Sequence, residues 1–461
     1  MLSICGNAPR LCDGISRREM LRLGGLSAFG LTLPDLLASR AAESRGRRAR
    51  ACIVLFMTGG PPQHETWDPK PDAPAEVRGP FRPIPTRLPG VQVCEHLPRT
   101  AGIMDKLCIL RGFYTNNDGH AGGTYELLTG TVHPDGKGDN IKMASRTDWP
   151  ALSAVVKRFR QAVPGLPTSV VLPQPVANVP EWPGQHAGFL GSEWDPWLLR
   201  CDPAATNFQL SELTLPAEVP AERLVNRWSL LDQVDRQFER WQRESAVSGA
   251  NHHTQQALDL LSGARVRRAF GLGREAPAVR DRYGRHKFGQ GCLLARRLIE
   301  AGVTLVQLNW FREPNQGNGW DVHVQLEADL KNQLMPPMDQ GYTALLEDLD
   351  QRGLLDETLV LWMGEMGREP KMTHVPPNPA PGRNHWGGVF SIALAGGGIR
   401  GGQVYGASDK IGAYPKDSPV TPADLTATLF HCLGIDPQSE IRDRLNRPHP
   451  LSRGRALEQL F

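Results

Sequence analysis

What is missing from the 461-residue chain narrows its work first. Beyond the N-terminal segment, no run is long and apolar enough to cross a membrane. None of the eight cysteines, at positions 5, 12, 52, 94, 108, 201, 292 and 432, forms a C-x-x-C pair, which argues against a cysteine zinc site and a dithiol redox motif. An excess of one charge is lacking too, with 52 basic residues against 49 acidic ones. No basic stripe with interleaved aromatics occurs, so nucleic acid is not an expected partner. There is no internal repeat. A hydrophobic content of 40% is in turn too high for a disordered chain and supports a substantial core.

Glycine (48) and proline (39) are plentiful, which implies many loops between short elements. Ser16-Arg17-Arg18-Glu19-Met20-Leu21-Arg22, a mildly apolar run from Leu23 to Ala38, then Ser39-Arg40-Ala41-Ala42 have the order of a twin-arginine export signal. The competing reading is a basic amphipathic helix at a free end. With the linker, this segment takes residues 1–45, and it predicts an exported, periplasmic or extracellular protein that meets the twin-arginine translocase. Cys52 and Cys292 sit in apolar runs and read as buried thiols, and the remaining cysteines leave room for one or two disulfides after export.

From residue 50 to 461 the pattern is that of one α/β domain. Buried strands are predicted at 51–57, 107–110, 168–172, 303–309, 358–362 and 391–395, with helices beginning near 120, 151, 286, 325 and 421. Between about 203 and 285, apolar residues recur at helical spacing and mark a helical insertion; His252-His253 within it reads as a surface pair. The glycines of 396–402 are most simply a hairpin, since no helix follows them as a nucleotide fingerprint requires.

Polar clusters fall at strand ends, where ligands bind in open α/β sheets. They are His64/Glu65/Asp68, His120/Thr124, Asp321/His323 and Glu365/Arg368, with His385 on the loop after the last. Asp321-x-His323 with a distant His385 makes a two-histidine, one-carboxylate set suited to zinc with an open position for water. Glu65, Asp68 and His64 are weaker ligand candidates, and Arg368 or Arg383 could hold an anionic group bidentately. Each has a plain structural reading: His323 as a helix cap, Asp321 as a turn residue, Glu365 as a buried acid paired with Arg368, and His64 and Asp68 as loop hydrogen-bonders. Carbohydrate binding by Trp182, Trp194 and Trp197 has only composition behind it.

The chain resembles the DUF1501 family within the alkaline phosphatase/sulfatase superfamily. The resemblance rests on the leader, GGPPQHETWDPKP at 59–71, HAGGTYELLTG at 120–130, WDVH at 320–323, RGLLDETLVLWMGEMGREP at 352–370, GRNHW at 382–386 and LAGGGIRGGQVYGASD at 394–409. It implies an alkaline phosphatase-like central mixed sheet flanked by helices, with a metal site at strand ends. HAGGTYELLTG is similar to the sulfatase segment C-x-P-S-R-x-x-L-L-T-G and places His120 where sulfatases carry the modified cysteine. Thr58-Gly59 stands where the superfamily has an aspartate, and Glu365-Met366 where it has Asp-His. One metal position therefore keeps its ligands, and the second is damaged unless Glu65, Asp68 or His120 compensates. His120, Glu365 and Arg368 are the candidate catalytic residues, with His120 a metal ligand or general acid rather than a nucleophile. The expected activity is hydrolysis of a sulfate or phosphate ester, such as a sulfated glycan, by a metal-activated water. The alternative is a catalytically silent member acting as an envelope binding or scaffold protein.

Overall fold

Ala51–Phe56 (β1) is a run of apolar residues buried on every side, and its two faces feed two different cores. Ile53 and Leu55 point into one, Cys52, Val54 and Phe56 into the other, as the two-residue period of a strand requires. The computed structural model describes residues 49–461 other than 142–143, 177–180, 209–263, 312–318 and 379. The export-signal segment, most of the expected helical insertion and His252-His253 lie outside the described residues.

Seven further strands join β1 in an eight-stranded sheet. They are Leu107–Phe113 (β2), Ser169–Leu172 (β3), Trp197–Leu198 (β4), Leu305–Asn309 (β5), Thr358–Met363 (β6), Phe390–Ala395 (β7) and Gln403–Tyr405 (β8). Their order is β8-β2-β7-β6-β1-β5-β3-β4. Neighbours pair in parallel except β7, which runs antiparallel to both β2 and β6. The sheet is therefore mixed, as expected. On one face pack Lys287–Ala301 (α3) and Met335–Gln351 (α4); on the other pack His120–Thr129 (α1), Leu152–Phe159 (α2) and Pro422–Cys432 (α5).

The glycine-rich stretch after β7 does not make a hairpin. β8 lies parallel to β2 at the sheet edge, two places from β7, and Gly396, Gly397, Gly398 and Gly402 take positive φ along the crossing. Cys52 and Cys292 are buried free thiols, as are Cys94 and Cys108. Among the described residues no helix is long and apolar enough to cross a membrane.

Register is what creates the site. Phe56 is level with Asn309 on one side and Met363 on the other, so β1, β5 and β6 end together. The loops that follow them leave the sheet from one edge and are forced into contact.

Candidate metal centre

Asp321 is the hub. It follows Trp320, whose fully buried ring packs edge-on against Trp310 and Trp362 and fixes the backbone beside it. Asp321 Oδ1 lies 2.9 Å from His323 Nε2 and 3.1 Å from His385 Nε2, and Oδ2 lies 3.4 Å from His120 Nε2. The Nε2 atoms of His323 and His385 are themselves 2.9 Å apart. His120, Asp321 and His385 offer donor atoms all within 4.8 Å of one another, and His323 touches two of the three. The expected set of Asp321, His323 and His385 thus does converge, and His120 joins it.

Each of the three imidazoles is held from behind at Nδ1. His120 Nδ1 donates to Glu365 Oε1 at 2.8 Å, and His385 Nδ1 to the Asp118 carbonyl at 2.7 Å. His323 Nδ1 meets Asn384 Oδ1 at 3.2 Å; the amide is oriented by its own donation to Glu369 at 3.0 Å. A carboxylate, an amide oxygen and a backbone carbonyl can only accept, so Nδ1 carries the proton in every case. The Nε2 lone pairs of His323 and His385 then face a carboxylate oxygen and each other at hydrogen-bond distance. Lone pairs so placed repel unless a cation, either protons or a metal ion, lies among them. Histidines that bind metal ions characteristically donate their other ring N–H to carboxylate, carbonyl or water in this way. The donor spacings also fit: bonds of about 2.0–2.1 Å in a tetrahedral site set nitrogen and oxygen donors roughly 3.3 Å apart. Glu365 Oε2 is buried without a hydrogen-bond partner, and His120 Nε2 has only the 3.4 Å approach of Asp321 Oδ2. On donor chemistry, spacing and orientation, the residues fit a divalent ion.

The electrostatics follow from burial and charge. Burial alone would raise Asp321, but the close approach of His120, His323 and His385 and the charge of Arg368 outweigh it and hold the carboxyl well below the usual carboxylate range. Burial pulls His120 down, yet its carboxylate partners Asp321 and Glu365 lift it to about 9, so without a metal it is an imidazolium at neutral pH. Its ring lies flat against Trp182, with centroids 5.1 Å apart and planes at 9°.

Several residues named from the sequence have other work. Arg368 is fully buried, and its guanidinium donates to the carbonyls of Gly59, Gly60 and Arg383 and to Asp321. It steadies the hub and is not open to hold an anion. Nor is Arg383, whose buried guanidinium clasps Glu65 from Nε and Nη2. That pairing takes Glu65 out of the ligand set. Asp68 is held by Lys70, Arg111 and Ser408, while His64 bonds the Ile411 carbonyl and burial pushes it down to about 3. The structure brings none of these three loop residues into the cluster. Glu365 also accepts the Gly59 N–H at 2.8 Å and sits behind His120, a positioning role. Of the tryptophans, Trp182 packs on the site, Trp197 packs on Phe270, and Trp194 lies under Arg158. Asp118, Asn384 and Trp182 were not foreseen in these roles; only Asn384, beside two site residues in GRNHW, carried a signal.

Gly59 explains why no side chain stands at the end of β1. It has φ +116°, and a Cβ there would sit 2.4 Å from the Asp321 nitrogen. Gly59→Ala is expected to cost about 1–3 kcal/mol in urea unfolding, the usual penalty of overpacking, and to weaken metal binding by displacing Asp321. Unchanged stability and metal content would contradict this account of the approach.

No curated protein matches the chain. Among solved structures it is similar to Ps i-CgsB in complex with k-i-k-neocarrahexaose, at 11% identity over 84% of this chain and 72% of that one, with a TM-score of 0.42. It is also similar to the PsFucS1 sulfatase from Pseudoalteromonas sp., at 13% identity over 86% and 70% of the two chains, TM-score 0.39. A protein in the alkaline phosphatase superfamily from Vibrio parahaemolyticus matches at 11% identity over 85% and 67%, TM-score 0.35. The family model described as "Protein of unknown function (DUF1501)" matches residues 49–461, every position from the first buried strand to the last residue, and the chain belongs to that family.

Proposed function

We propose that this chain is an exported, metal-dependent hydrolase of a sulfate or phosphate ester. The observation that supports it best is the shared orientation of three histidines, Nδ1 held from behind and Nε2 turned to one carboxylate. Asp321, His323 and His385 would hold the ion, and zinc suits such nitrogen and oxygen donors. Bound there, it would supply Lewis acidity toward an ester oxygen and lower the pKa of the attacking water. The remaining tasks belong to side chains. His120 holds a proton at Nε2 on the edge of the cluster, placed to pass it to a leaving oxygen. Glu365 keeps that ring in register, Arg368 keeps Asp321 charged and in place, and Trp182 shields one face of His120 from water. Export rests on the paired arginines of the leader.

A silent binding or scaffold role is the second reading, favoured by the inward use of Arg368 and Arg383, which leaves neither to grip an anion. One measurement separates the two. Purified full-length protein should carry near-stoichiometric divalent metal and turn over 4-nitrophenyl sulfate or 4-nitrophenyl phosphate, with activity lost on chelation and restored by zinc. Metal below roughly a tenth of an equivalent after loading sinks the hydrolase. Full metal without turnover of either ester leaves the binding role.

A further inference from the structure

A cavity of about 560 Å³ lies at the end of α1 away from His120. Tyr125 reaches it from that helix, as does Gly130, the residue that caps it, and none of the metal-cluster residues lines it. Its floor is aromatic. Trp149 and Phe189 meet edge-on at 5.4 Å, and the His449 ring lies 5.4 Å from Trp149. The Trp149 backbone N–H is fixed by Tyr125 Oη at 2.8 Å, so the floor is held in place.

Its rim is cationic. Arg444, Arg447 and Arg453 line it, with Asp443 the only acid among the lining residues. That carboxylate is already engaged: it accepts from Arg447 Nε at 2.6 Å, from His449 at 3.2 Å, and from the backbone N–H groups of Leu445 and Arg447 at 2.9 Å. Arg444 and Arg453 are exposed and have no ion pair among the described residues. Leu445 and Val132 stand at the mouth, 74% and 53% exposed, an apolar lip beside bare guanidinium groups. The volume falls in the range of small-ligand sites, which pair apolar walls with a few charged groups that fix orientation.

We propose that this cavity binds a small organic anion: a ring bearing a sulfonate, sulfate, phosphate or carboxylate group. The ring would lie on Trp149 and Phe189, and the anionic group would meet Arg444 and Arg453. Charge-assisted bonds from guanidinium supply affinity, and the aromatic floor selects a ring over a bare ion. The inference is independent of the metal-site reading.

Calorimetric titration of the full chain with naphthalene-2-sulfonate tests it, with inorganic sulfate and 2-naphthol as probes of charge and ring alone. The sulfonate should bind at one equivalent, at least about tenfold tighter than either single-feature probe. Arg444→Gln with Arg453→Gln, at exposed positions that leave the fold intact, should weaken it at least about tenfold, as should Trp149→Leu. His385→Ala should leave it unchanged. The proposal is overturned by absence of saturable binding, by sulfate binding equally well, by affinity that ignores the arginine pair, or by loss of binding in His385→Ala, which would place the probe at the metal cluster.

Discussion

Asp321→Ala should abolish stoichiometric metal binding and, with it, any ester hydrolysis, and should also destabilise the metal-free protein. Two separate effects add. The first is loss of the one anionic donor toward which three imidazoles point. The second arises behind the cluster, where the Arg368 guanidinium is fully buried and Asp321 is its carboxylate partner. Removing one member of a buried pair leaves an uncompensated charge and costs about 3–5 kcal/mol. Burial already pulls the Arg368 pKa down, with Asp321 the main influence holding it up. Asp321→Asn separates the effects, because it keeps a hydrogen-bond acceptor for Arg368 while removing the charge. It should retain more stability than the alanine variant and still fail to hold metal. Metal analysis beside urea unfolding checks both. If Asp321→Ala keeps its metal, the cluster is not the site.

Arg383→Met should destabilise the fold by about 3–5 kcal/mol at neutral pH. Glu65 and Arg383 are both wholly inaccessible and bonded at 2.6–3.1 Å. The pair clamps the loop after β1 to the GRNHW loop, one residue from Asn384 and two from His385. The size of the effect should depend on pH, and its sign can be worked out. Burial already raises the Glu65 pKa, with the charge of Arg383 opposing it. Without Arg383 the folded pKa rises further above the unfolded value. The deficit should then be small below the unfolded pKa of about 4.3, where Glu65 is neutral in both states, and grow as pH rises to the new folded value. Adding Glu65→Leu should restore most of the lost stability, since an apolar pair of similar volume often matches a buried ion pair. A deficit independent of pH, or no recovery in the double variant, would mean the clamp acts through packing.

The parts legible from sequence were those set by local pattern. The runs 51–57, 303–309 and 358–362 are apolar on both faces and could hardly be other than central strands, so residues just beyond them could be assigned to one edge. That is why Asp321, His323, His385 and His120 could be named together. What pattern could not show is which side of a loop a guanidinium faces. Arg368 and Arg383 sit among site residues in the sequence, yet both turn inward because carbonyls and carboxylates more than three hundred positions away await them. Glu65 shares that fate: nothing near it in sequence announces a partner 318 residues on. The edge strand Gln403–Tyr405 was missed for a similar reason, since β8 is too short to carry a period and its place is set by β2.

The common level at which β1, β5 and β6 stop has a bearing on assembly. His385 meets Asp118 across 267 positions, and the cluster joins His120, from the first third of the chain, to Asp321 and His385 in the last. Pairings so remote form only after costly loop closure and therefore arrive late. A chain in which the strands had not yet paired would present scattered imidazoles with no mutual geometry, so on the proposed metal reading tight ion capture would certify correct strand order. Occupancy would then report maturation, and a pool of chains could be sorted into finished and unfinished by that alone.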